Sequence, residues 1–290
     1  MISKTTKAWI EATRIRTLPV STAGVLSAWA LAIHFAEIRW LPAIICLLFA
    51  ILCQIASNFA NEYYDFRDGL DKKGRSGPRR GVTEGDLSAS AMKTATYSVL
   101  FIASLLGLWL IYWGGMWLIL VGIFIVLGAL AYSTGPYPLS RNGLGETAVM
   151  VFFGLIPVNM TYYLATGSWE WRVLFYSLAI GAMGSNVLMV NNFRDADDDR
   201  AVGKRTLANI LGRTRAREIY LWNGLTAFIF ACIGAWGYNI LAIAPVIYIL
   251  VHLSLWSKLN LNPGENPSVL NPLLGKTAAL MLLFAGLLFA

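Results

Sequence analysis

Long runs of apolar residues alternate along this chain with short segments rich in charged and polar residues. Each run is close to the length that an α-helix needs to cross the hydrocarbon core of a bilayer, which is about 30 Å thick. Apolar and polar positions do not alternate within the runs, as they would in the strands of a transmembrane barrel. The pattern therefore predicts an all-α, polytopic membrane protein with nine transmembrane helices, near residues 17–36, 40–62, 92–112, 115–133, 143–165, 171–191, 216–237, 239–256 and 273–290.

The segment before the first run is basic and amphipathic. It carries Lys4, Lys7, Arg14 and Arg16 around Trp9. This is longer and more amphipathic than the start of a secretory signal, so it predicts a helix lying on the membrane surface.

The charge distribution predicts how the chain is oriented. The 290 residues are 57% hydrophobic and 13% charged, with 23 Lys and Arg against 16 Asp and Glu. If the nine runs all cross the bilayer, 21 of the 23 basic residues lie on the side of the N-terminus, and only Arg39 and Arg172 lie opposite. Such a bias marks the cytoplasmic side. We expect a multi-pass protein of the cytoplasmic (inner) membrane with a cytoplasmic N-terminus, and no nucleic-acid partner.

Two acidic segments follow the second and sixth runs. They read "NFANEYYDFRDGLD" (58–71) and "NNFRDADDDR" (191–200), and a basic segment follows each. Asp65 and Asp195 are 130 residues apart, as are Asn61 and Asn191. This spacing is typical of a duplicated half. It predicts a single domain, 1–290, with pseudo-repeat halves at about 17–133 and 143–256 and a ninth helix after them.

The spacing of the acids indicates a metal site. The polar side chains of each segment recur at helical intervals and fall on one face: Asn58, Asn61, Asp65 and Asp68 in the first, and Asn192, Asp195 and Asp199 in the second. Carboxylates one turn apart lie about 5–6 Å from each other and repel unless a cation lies between them. We therefore expect that removing one would leave the fold intact. Oxygen-only ligands favour Mg²⁺, which also uses water and substrate phosphates.

Solvated helix ends are the simpler alternative, and Asp197 and Asp198 fit that description. Acid at a helix C-terminus, however, opposes the helix dipole. The two matched segments, each with Asn deeper in the span, favour function, because polar residues at membrane depth are costly.

Basic residues beside the acids complete an anion site. The segments "KKGRSGPRRGVTEGD" (72–86) and "GKRTLA" (203–208) supply Lys72, Arg79, Arg80 and Lys204. Mixed charges of this kind suit a diphosphate held through metal bridges and directly by cations. The chain has no glycine-rich nucleotide-binding loop, so ATP is not the expected ligand.

These segments resemble the UbiA superfamily of intramembrane prenyltransferases. They are most similar to the MenA branch, which prenylates 1,4-dihydroxy-2-naphthoate. The resemblance rests on "RIRTLPVS" (14–21), "NEYYDFRDGLD" (61–71) with "GPRRGVTEGDLS" (77–88), "YSTGPYPLSRNGLGE" (132–146) and "NNFRDADDDRAVGKRTLA" (191–208). It implies nine helices around a central cavity that opens to lipid and is capped by cytoplasmic loops.

The resemblance also implies the reaction and the residues for it. A polyprenyl group would move from its diphosphate to dihydroxynaphthoate with loss of CO₂, giving demethylmenaquinone. The implied metal ligands are Asn61, Asp65 and Asp71 in the first motif and Asp195 and Asp199 in the second; the four aspartates are the candidate catalytic residues.

Two positions depart from the family pattern. Glu62 stands where many relatives have Asp, and the Tyr-x-x-x-Lys element of some members is not present after the fourth run. Tyr132, Tyr137 and Arg141 stand there instead, and with Arg16 they are candidate contacts for the acceptor or the prenyl chain.

The chemistry agrees with these residues. Two Mg²⁺ ions, for which Mn²⁺ could substitute, would neutralise the leaving diphosphate. The allylic carbocation then needs a dry wall, since water would quench it. Aromatic residues of the fifth run could stabilise the cation, or could simply be packing residues: Phe152, Phe153, Tyr162 and Tyr163.

Other functions remain open at this point. Repeats and intramembrane polar residues also occur in transporters, although two acidic segments on one face, with basic loops, disfavour cation transport. Within the enzyme class, 4-hydroxybenzoate, homogentisate and haem are alternative acceptors used by relatives. The sequence leaves the prenyl chain length and the oligomeric state undetermined.

Overall fold

The computed structural model describes residues 3–74, 77–262 and 267–290, so Arg75, one of the basic residues in the orientation count, lies outside the described residues. Within these ranges the regular structure is helical apart from one isolated bridge between Asn142 and Arg205, which confirms the all-α prediction. The α-helices are α1 Lys4–Thr13, α2 Leu18–Phe35, α3 Trp40–Arg67, α4 Gly81–Glu84, α5 Ala89–Gly114, α6 Leu118–Ala131, α7 Gly145–Val149, α8 Ile156–Thr166, α9 Trp171–Arg194, α10 Ala196–Ala201, α11 Leu207–Gly234, α12 Ile243–Asn260 and α13 Pro267–Leu287.

Seven helical segments in the described ranges are long and apolar enough to cross a membrane, so the predicted number of nine is not reached on this criterion. The runs predicted at 115–133 and 216–237 account for the difference. Helix α6 has only 14 residues, which at 1.5 Å per residue gives about 21 Å. Helix α11 is interrupted by non-helical backbone angles at Gly212 and carries Arg213, Arg215, Arg217 and Glu218 directly after it, which leaves 219–234 as the longest uncharged part.

The bundle is centred on α9. In an apolar stretch of 18 residues within α9, 78% is buried inside the protein, whereas the corresponding stretch of α5 is 22% buried. Helix α9 packs on α11, on α13 and on a π-helical segment, Met150–Leu155, that joins α7 to α8. The approach to that segment is close because both helices present glycine: a Cβ on Gly154 would lie 2.5 Å from the Cα of Gly181. The exposed apolar faces of α5 and α6 suit contact with lipid.

The predicted surface helix is α1, and it packs against the end of α3. Ser3 caps it by accepting a hydrogen bond from the Thr6 backbone N–H. Its buried face carries small residues, Ala8 and Ala12, and Trp9 meets Phe59 of α3 edge to face. The helix ends at Arg14, whose φ of 52° is the only positive value among the described non-glycine residues.

The loops after α6 and α10 meet beside the ends of α3 and α9. The backbone N–H of Arg205 donates to the carbonyl oxygen of Arg141 at 3.0 Å, in the same place as the bridge to Asn142. Segments far apart in the sequence, 132–146 and 203–206, are therefore joined directly.

Candidate active site

A polar cavity lies where α3 and α9 end. Its volume is about 980 Å³, open solvent space included. Both acidic segments line it, together with three basic side chains that come from separate parts of the chain: Asn58, Asn61, Asn191, Asn192, Asp195 and Asp199 with Arg14, Arg80 and Lys204. The structure thus brings the two predicted segments into one site.

Asp65 connects the two acidic segments through a lysine. Its side chain is fully buried at the end of α3, and Lys204 Nζ lies 2.7 Å from its Oδ2. The same ammonium nitrogen lies 3.9 Å from Asp199 Oδ1. Arg141 adds a second cation at 3.2 Å from Asp65 Oδ1. A carboxylate from each segment therefore lies within 4 Å of one ammonium group.

Asp68 lies just outside the membrane-spanning part of α3 and pairs with two arginines. Arg141 Nη1 is 2.6 Å from one carboxylate oxygen and Arg67 Nε is 2.7 Å from the other. Partial burial raises the pKa of this carboxyl, but the hydrogen bonds from Arg67 and Arg141 outweigh it and hold the pKa below its usual range. Asp68 is therefore ionised and helps to hold Arg141 in place.

Asn61 is the meeting point of two further arginines. Its Oδ1 accepts hydrogen bonds from Arg14 at 2.6 Å and from Arg80 at 2.9 Å, while its Nδ2 donates to Ser133 Oγ at 3.3 Å. Arg80 Nε also lies 3.5 Å from Asp71 Oδ2, and this ion pair connects Asp71 to the site. The strained turn at Arg14 places its guanidinium at this amide.

The second acidic segment is organised by its own neighbour. Arg194, which is 4% exposed, donates to both oxygens of Asp195, at 2.6 and 2.9 Å. It also donates to the side-chain oxygens of Asn191 and Asn271, at 2.8 and 2.9 Å. An arginine with this many acceptors is fixed in one orientation, and so is the carboxylate it holds.

Asn192 is held by Glu146, a buried acid that is not among the predicted site residues. The Asn192 Nδ2 donates to Glu146 Oε1 at 2.9 Å.

By contrast, Asp197 is mostly exposed and pairs with Arg213 at 2.9 Å. The hydrogen bond from Arg213 lowers the pKa of Asp197, and this effect is larger than the opposite effect of burial. The solvated-end interpretation is therefore correct for Asp197.

The expectation that the acids could be removed without loss of stability is wrong in its premise. We predicted a repulsive cluster, but Asp65, Asp68, Asp71 and Asp195 each lie in an ion pair with Lys or Arg. For Asp65, Asp68 and Asp71 the opposing charges include Lys204, Arg141 and Arg80, which come from loops that the helical-face spacing alone does not bring close. For Asp195 the opposing charge is the adjacent Arg194.

Eight predicted site residues line neither described cavity. Four of them, Asp65, Asp68, Asp71 and Arg141, are linked to the polar cavity by ion pairs with Lys204, with Arg80 or with each other. The other four lie away from it. Lys72 and Arg16 are exposed, as is Tyr137 at 57%. Arg79 faces α1, where it pairs with Glu11 and Asp86. Arg80, which was also predicted, does line the polar cavity, and Arg14, two residues before Arg16, lines it without having been predicted.

An apolar cavity of about 1060 Å³, open solvent space included, adjoins the polar one. Five residues line both cavities and so mark their junction: Gln54, Ser57, Tyr132, Val149 and Phe153. Of the four aromatic residues singled out in the fifth run, Phe152 and Phe153 line the apolar cavity. Tyr162 is buried in the core and Tyr163 stacks on Trp169, so these two are packing residues.

The donor set fits Mg²⁺ bound partly through other ligands. Among the residues that the structure describes, no group of three or more His, Cys, Asp or Glu side chains could hold a metal by itself. The acidic cavity residues are accompanied by amide oxygens, and Mg²⁺ commonly combines one or two carboxylates with water and substrate phosphates.

The chain is similar over almost its whole length to proteins named as octaprenyltransferases. It is 33% identical to the 1,4-dihydroxy-2-naphthoate octaprenyltransferase of Haemophilus influenzae, covering 98% of this chain and 94% of that protein. The enzyme of the same name from Mycobacterium tuberculosis is also 33% identical, covering 96% and 94%. The predicted resemblance to the MenA branch is thereby confirmed.

Solved structures show the same fold. A UbiA homolog from Archaeoglobus fulgidus, bound to GPP and Mg²⁺, superimposes with a TM-score of 0.66 at 15% identity, covering 97% of this chain and 99% of that one. The apo structure of a UbiA homolog from Aeropyrum pernix gives 0.70 at 17% identity, covering 94% of each. Residues 20–270 match the UbiA prenyltransferase family, and the chain belongs to that family.

Proposed function

We propose that this protein transfers a polyprenyl group from polyprenyl diphosphate to 1,4-dihydroxy-2-naphthoate, with decarboxylation, in menaquinone biosynthesis. One observation carries the proposal: a charged cavity adjoins an apolar one through five shared residues. A prenyl diphosphate has the same division into an anionic head and a hydrocarbon tail. Relatives that match this chain over most of both lengths are named as 1,4-dihydroxy-2-naphthoate octaprenyltransferases, which supports the naphthoate as acceptor.

The diphosphate would bind in the polar cavity. Asp65, Asp71, Asp195 and Asp199 are the proposed catalytic acids, and with Asn61, Asp68 and Asn192 they form the proposed ligand set for two Mg²⁺ ions. When bound, the metal would neutralise the charge that develops on the leaving diphosphate. Lys204 and Arg80, which line the cavity, would donate to phosphate oxygens directly.

The residues around the apolar cavity would protect the allylic cation. Phe152 and Phe153, which line this cavity, would stabilise a positive carbon by cation–π contact, and the apolar lining would exclude the water that converts the cation to an alcohol. Lys204 and Arg141 would remain close enough to Asp65 to balance its charge before the substrate binds.

The bond changes balance without an oxidant. The carbon–oxygen bond to diphosphate breaks, a bond from the prenyl carbon to a ring carbon forms, and the ring loses a proton there. The carboxyl group leaves as CO₂ and a proton takes its place. No electrons are removed, so the immediate product is the quinol form of demethylmenaquinone.

We also propose the finer architecture predicted from the sequence. In this arrangement α6 and α11 lie within the bilayer with the seven longer segments, giving nine spans in two pseudo-repeat halves and a ninth helix. The N-terminus and both acidic segments would then face the cytoplasm, and Ala290 would face the opposite side.

Cysteines introduced next to Lys4 and at Ala290, labelled from either side of intact cells, test this orientation. If both cysteines were labelled from the cytoplasmic side, the proposed arrangement of nine spans would be wrong.

Incubation with a labelled polyprenyl diphosphate and each acceptor tests the activity. Purified protein in lipid nanodiscs with Mg²⁺ should prenylate 1,4-dihydroxy-2-naphthoate and release one CO₂ for each product. Parallel reactions with 4-hydroxybenzoate, homogentisate and haem distinguish the acceptors. Turnover of one of these and none of the naphthoate would overturn the acceptor, while no turnover of any would overturn the enzyme assignment.

A further inference from the structure

A chain of hydrogen bonds fixes the orientation of the Gln54 side chain. The backbone carbonyl oxygen of Thr13 can only accept, so the Asn58 group 3.0 Å from it is the Nδ2 donor. Asn58 Oδ1 is then the acceptor for Gln54 Nε2, at 3.2 Å. The same Nε2 lies 3.5 Å from Thr17 Oγ1. The direction of the Gln54 amide therefore follows from a backbone atom.

This arrangement leaves the amide oxygen of Gln54 without a partner. Gln54 is 8% exposed, and its Oε1 is buried and receives no hydrogen bond from any residue in the described ranges. An unsatisfied buried acceptor is unfavourable, and native proteins rarely keep one without a purpose. A second observation concerns its position, because Gln54 is one of the five residues that line both cavities.

The chemistry of the substrates indicates which of them can use this oxygen. If the diphosphate lies in the polar cavity and the isoprenoid chain in the apolar one, the carbon that reacts lies at their junction. Phosphate oxygens are acceptors, and a hydrocarbon chain has no polar hydrogen. The aromatic acceptor is the one substrate that brings an O–H donor to this place.

We propose that Gln54 Oε1 accepts a hydrogen bond from a ring hydroxyl of the aromatic acceptor and so positions the ring at the junction. This inference rests on the proposed function and adds a specificity residue to it. As the ring attacks the prenyl carbon it becomes positively charged and its hydroxyl becomes more acidic. The hydrogen bond to Gln54 is then stronger in the transition state than in the ground state, which is the condition for catalysis.

Binding of three naphthoates to wild type and to Gln54→Met provides the first test. The ligands are 1,4-dihydroxy-2-naphthoate and its 1-hydroxy and 4-hydroxy analogues, titrated in nanodiscs with Mg²⁺ and a non-hydrolysable prenyl thiodiphosphate. We expect one monohydroxy analogue to bind wild type about tenfold more weakly, the effect of one lost hydrogen bond. In Gln54→Met that difference should disappear, while Gln54→Glu, which keeps an acceptor oxygen, should restore part of it.

The Kd of the thiodiphosphate, measured alone, is the control for general damage. It should be the same in wild type and Gln54→Met. If all three naphthoates bind wild type equally, or if Gln54→Met weakens all three by one factor, the inference is wrong. If no naphthoate binds wild type but 4-hydroxybenzoate does, the acceptor proposed above is wrong, and the pair of 4-hydroxybenzoate and benzoate then tests Gln54 in the same way.

A second measurement requires no variant. Gln54 is the only glutamine in the sequence, so protein labelled with ¹³C at the glutamine δ-carbon has a single side-chain amide carbonyl signal of this type. The dihydroxynaphthoate should move this signal in the direction that a new hydrogen bond to the carbonyl produces. The analogue without the recognised hydroxyl should bind and leave the signal in place. An unmoved signal with the dihydroxynaphthoate bound would overturn the inference.

Discussion

The two acidic segments have similar sequences but balance their charges in different ways. At the end of α3, Asp65 is paired with Arg141 and Lys204, which are 76 and 139 residues away. At the end of α9, Asp195 is paired through both oxygens with Arg194, the adjacent residue. The first segment thus depends on two loops from elsewhere in the chain, while the second carries its own counter-charge.

This difference indicates which part of the site connects the halves. Lys204 lies within 4 Å of Asp65 and of Asp199, so it belongs to the second half by sequence and to the first by contact. The Arg194–Asp195 pair would persist if the loops moved, whereas the contacts of Asp65 would not. The first acidic segment is therefore the one whose charge balance requires the complete fold.

The largest expected effect is that of metal removal, which should affect both segments alike. Purified protein treated with excess EDTA should lose essentially all prenyl transfer, a fall of at least about 1000-fold, because the charge on the leaving diphosphate is no longer neutralised. Mg²⁺ or Mn²⁺ added back in excess should restore the initial rate. Full activity of metal-free protein would contradict a metal site at either segment.

Removal of a single acid should lower both activity and stability, whichever segment it belongs to. Asp65→Ala and Asp195→Ala should each reduce turnover by at least about 1000-fold. Each also leaves buried cations with fewer partners, which costs up to about 3–5 kcal/mol of unfolding free energy at a buried pair. Thermal unfolding in detergent measures this loss.

A second substitution that removes the unpaired cation should recover different amounts of stability in the two segments. Adding Arg194→Met to Asp195→Ala should recover most of the lost stability without recovering activity, since it removes the uncompensated charge and deprives only two neutral amides, Asn191 and Asn271, of a donor. Adding Lys204→Met to Asp65→Ala should recover less, because Arg141 still lacks one of its partners. Equal recovery in both cases would show that the two charge balances do not differ.

Two lysines predicted to bind diphosphate should now behave differently. Lys204→Met should weaken binding of a prenyl thiodiphosphate by about tenfold or more, because it removes a charge-assisted contact at a largely buried site. Lys72→Met is the matched control, since Lys72 is exposed and lines neither described cavity. Its Kd should change less than about threefold. Equal losses would mean that Lys72 reaches the diphosphate.

The smallest expected effect is at Asp197, within the second segment. Asp197→Asn breaks an exposed pair with Arg213, which is worth about 0–1 kcal/mol. Turnover should remain within about twofold of wild type, and Asp199→Asn in parallel should lose donor affinity. A large loss at Asp197 would show that the solvated side of α10 also contributes to the site.

The sequence alone determined the class of fold, most of the helices and the two acidic helix ends. A bilayer requires apolar segments of sufficient length, so the runs identify membrane helices directly. This signal is weakest at α6 and α11, because α6 is short and α11 is interrupted at Gly212 and charged directly after that residue. Gln54 could also have been found, because it lies one turn before Asn58 on the predicted polar face.

Tertiary structure decided which charged residues meet. The sequence pointed to Arg16, Arg79 and Arg80, but of these only Arg80 lines the cavity, and the turn at Arg14 adds Arg14, which was not among the predicted site residues. Residues adjacent in an irregular segment point in different directions, and periodicity does not predict those directions. The pairing of Lys204 with Asp65 likewise depends on the packing of α3 against loops more than a hundred residues away. Helical spacing determines contacts within one helix, whereas the charge balance of this site is formed between segments, and only the folded chain brings them together.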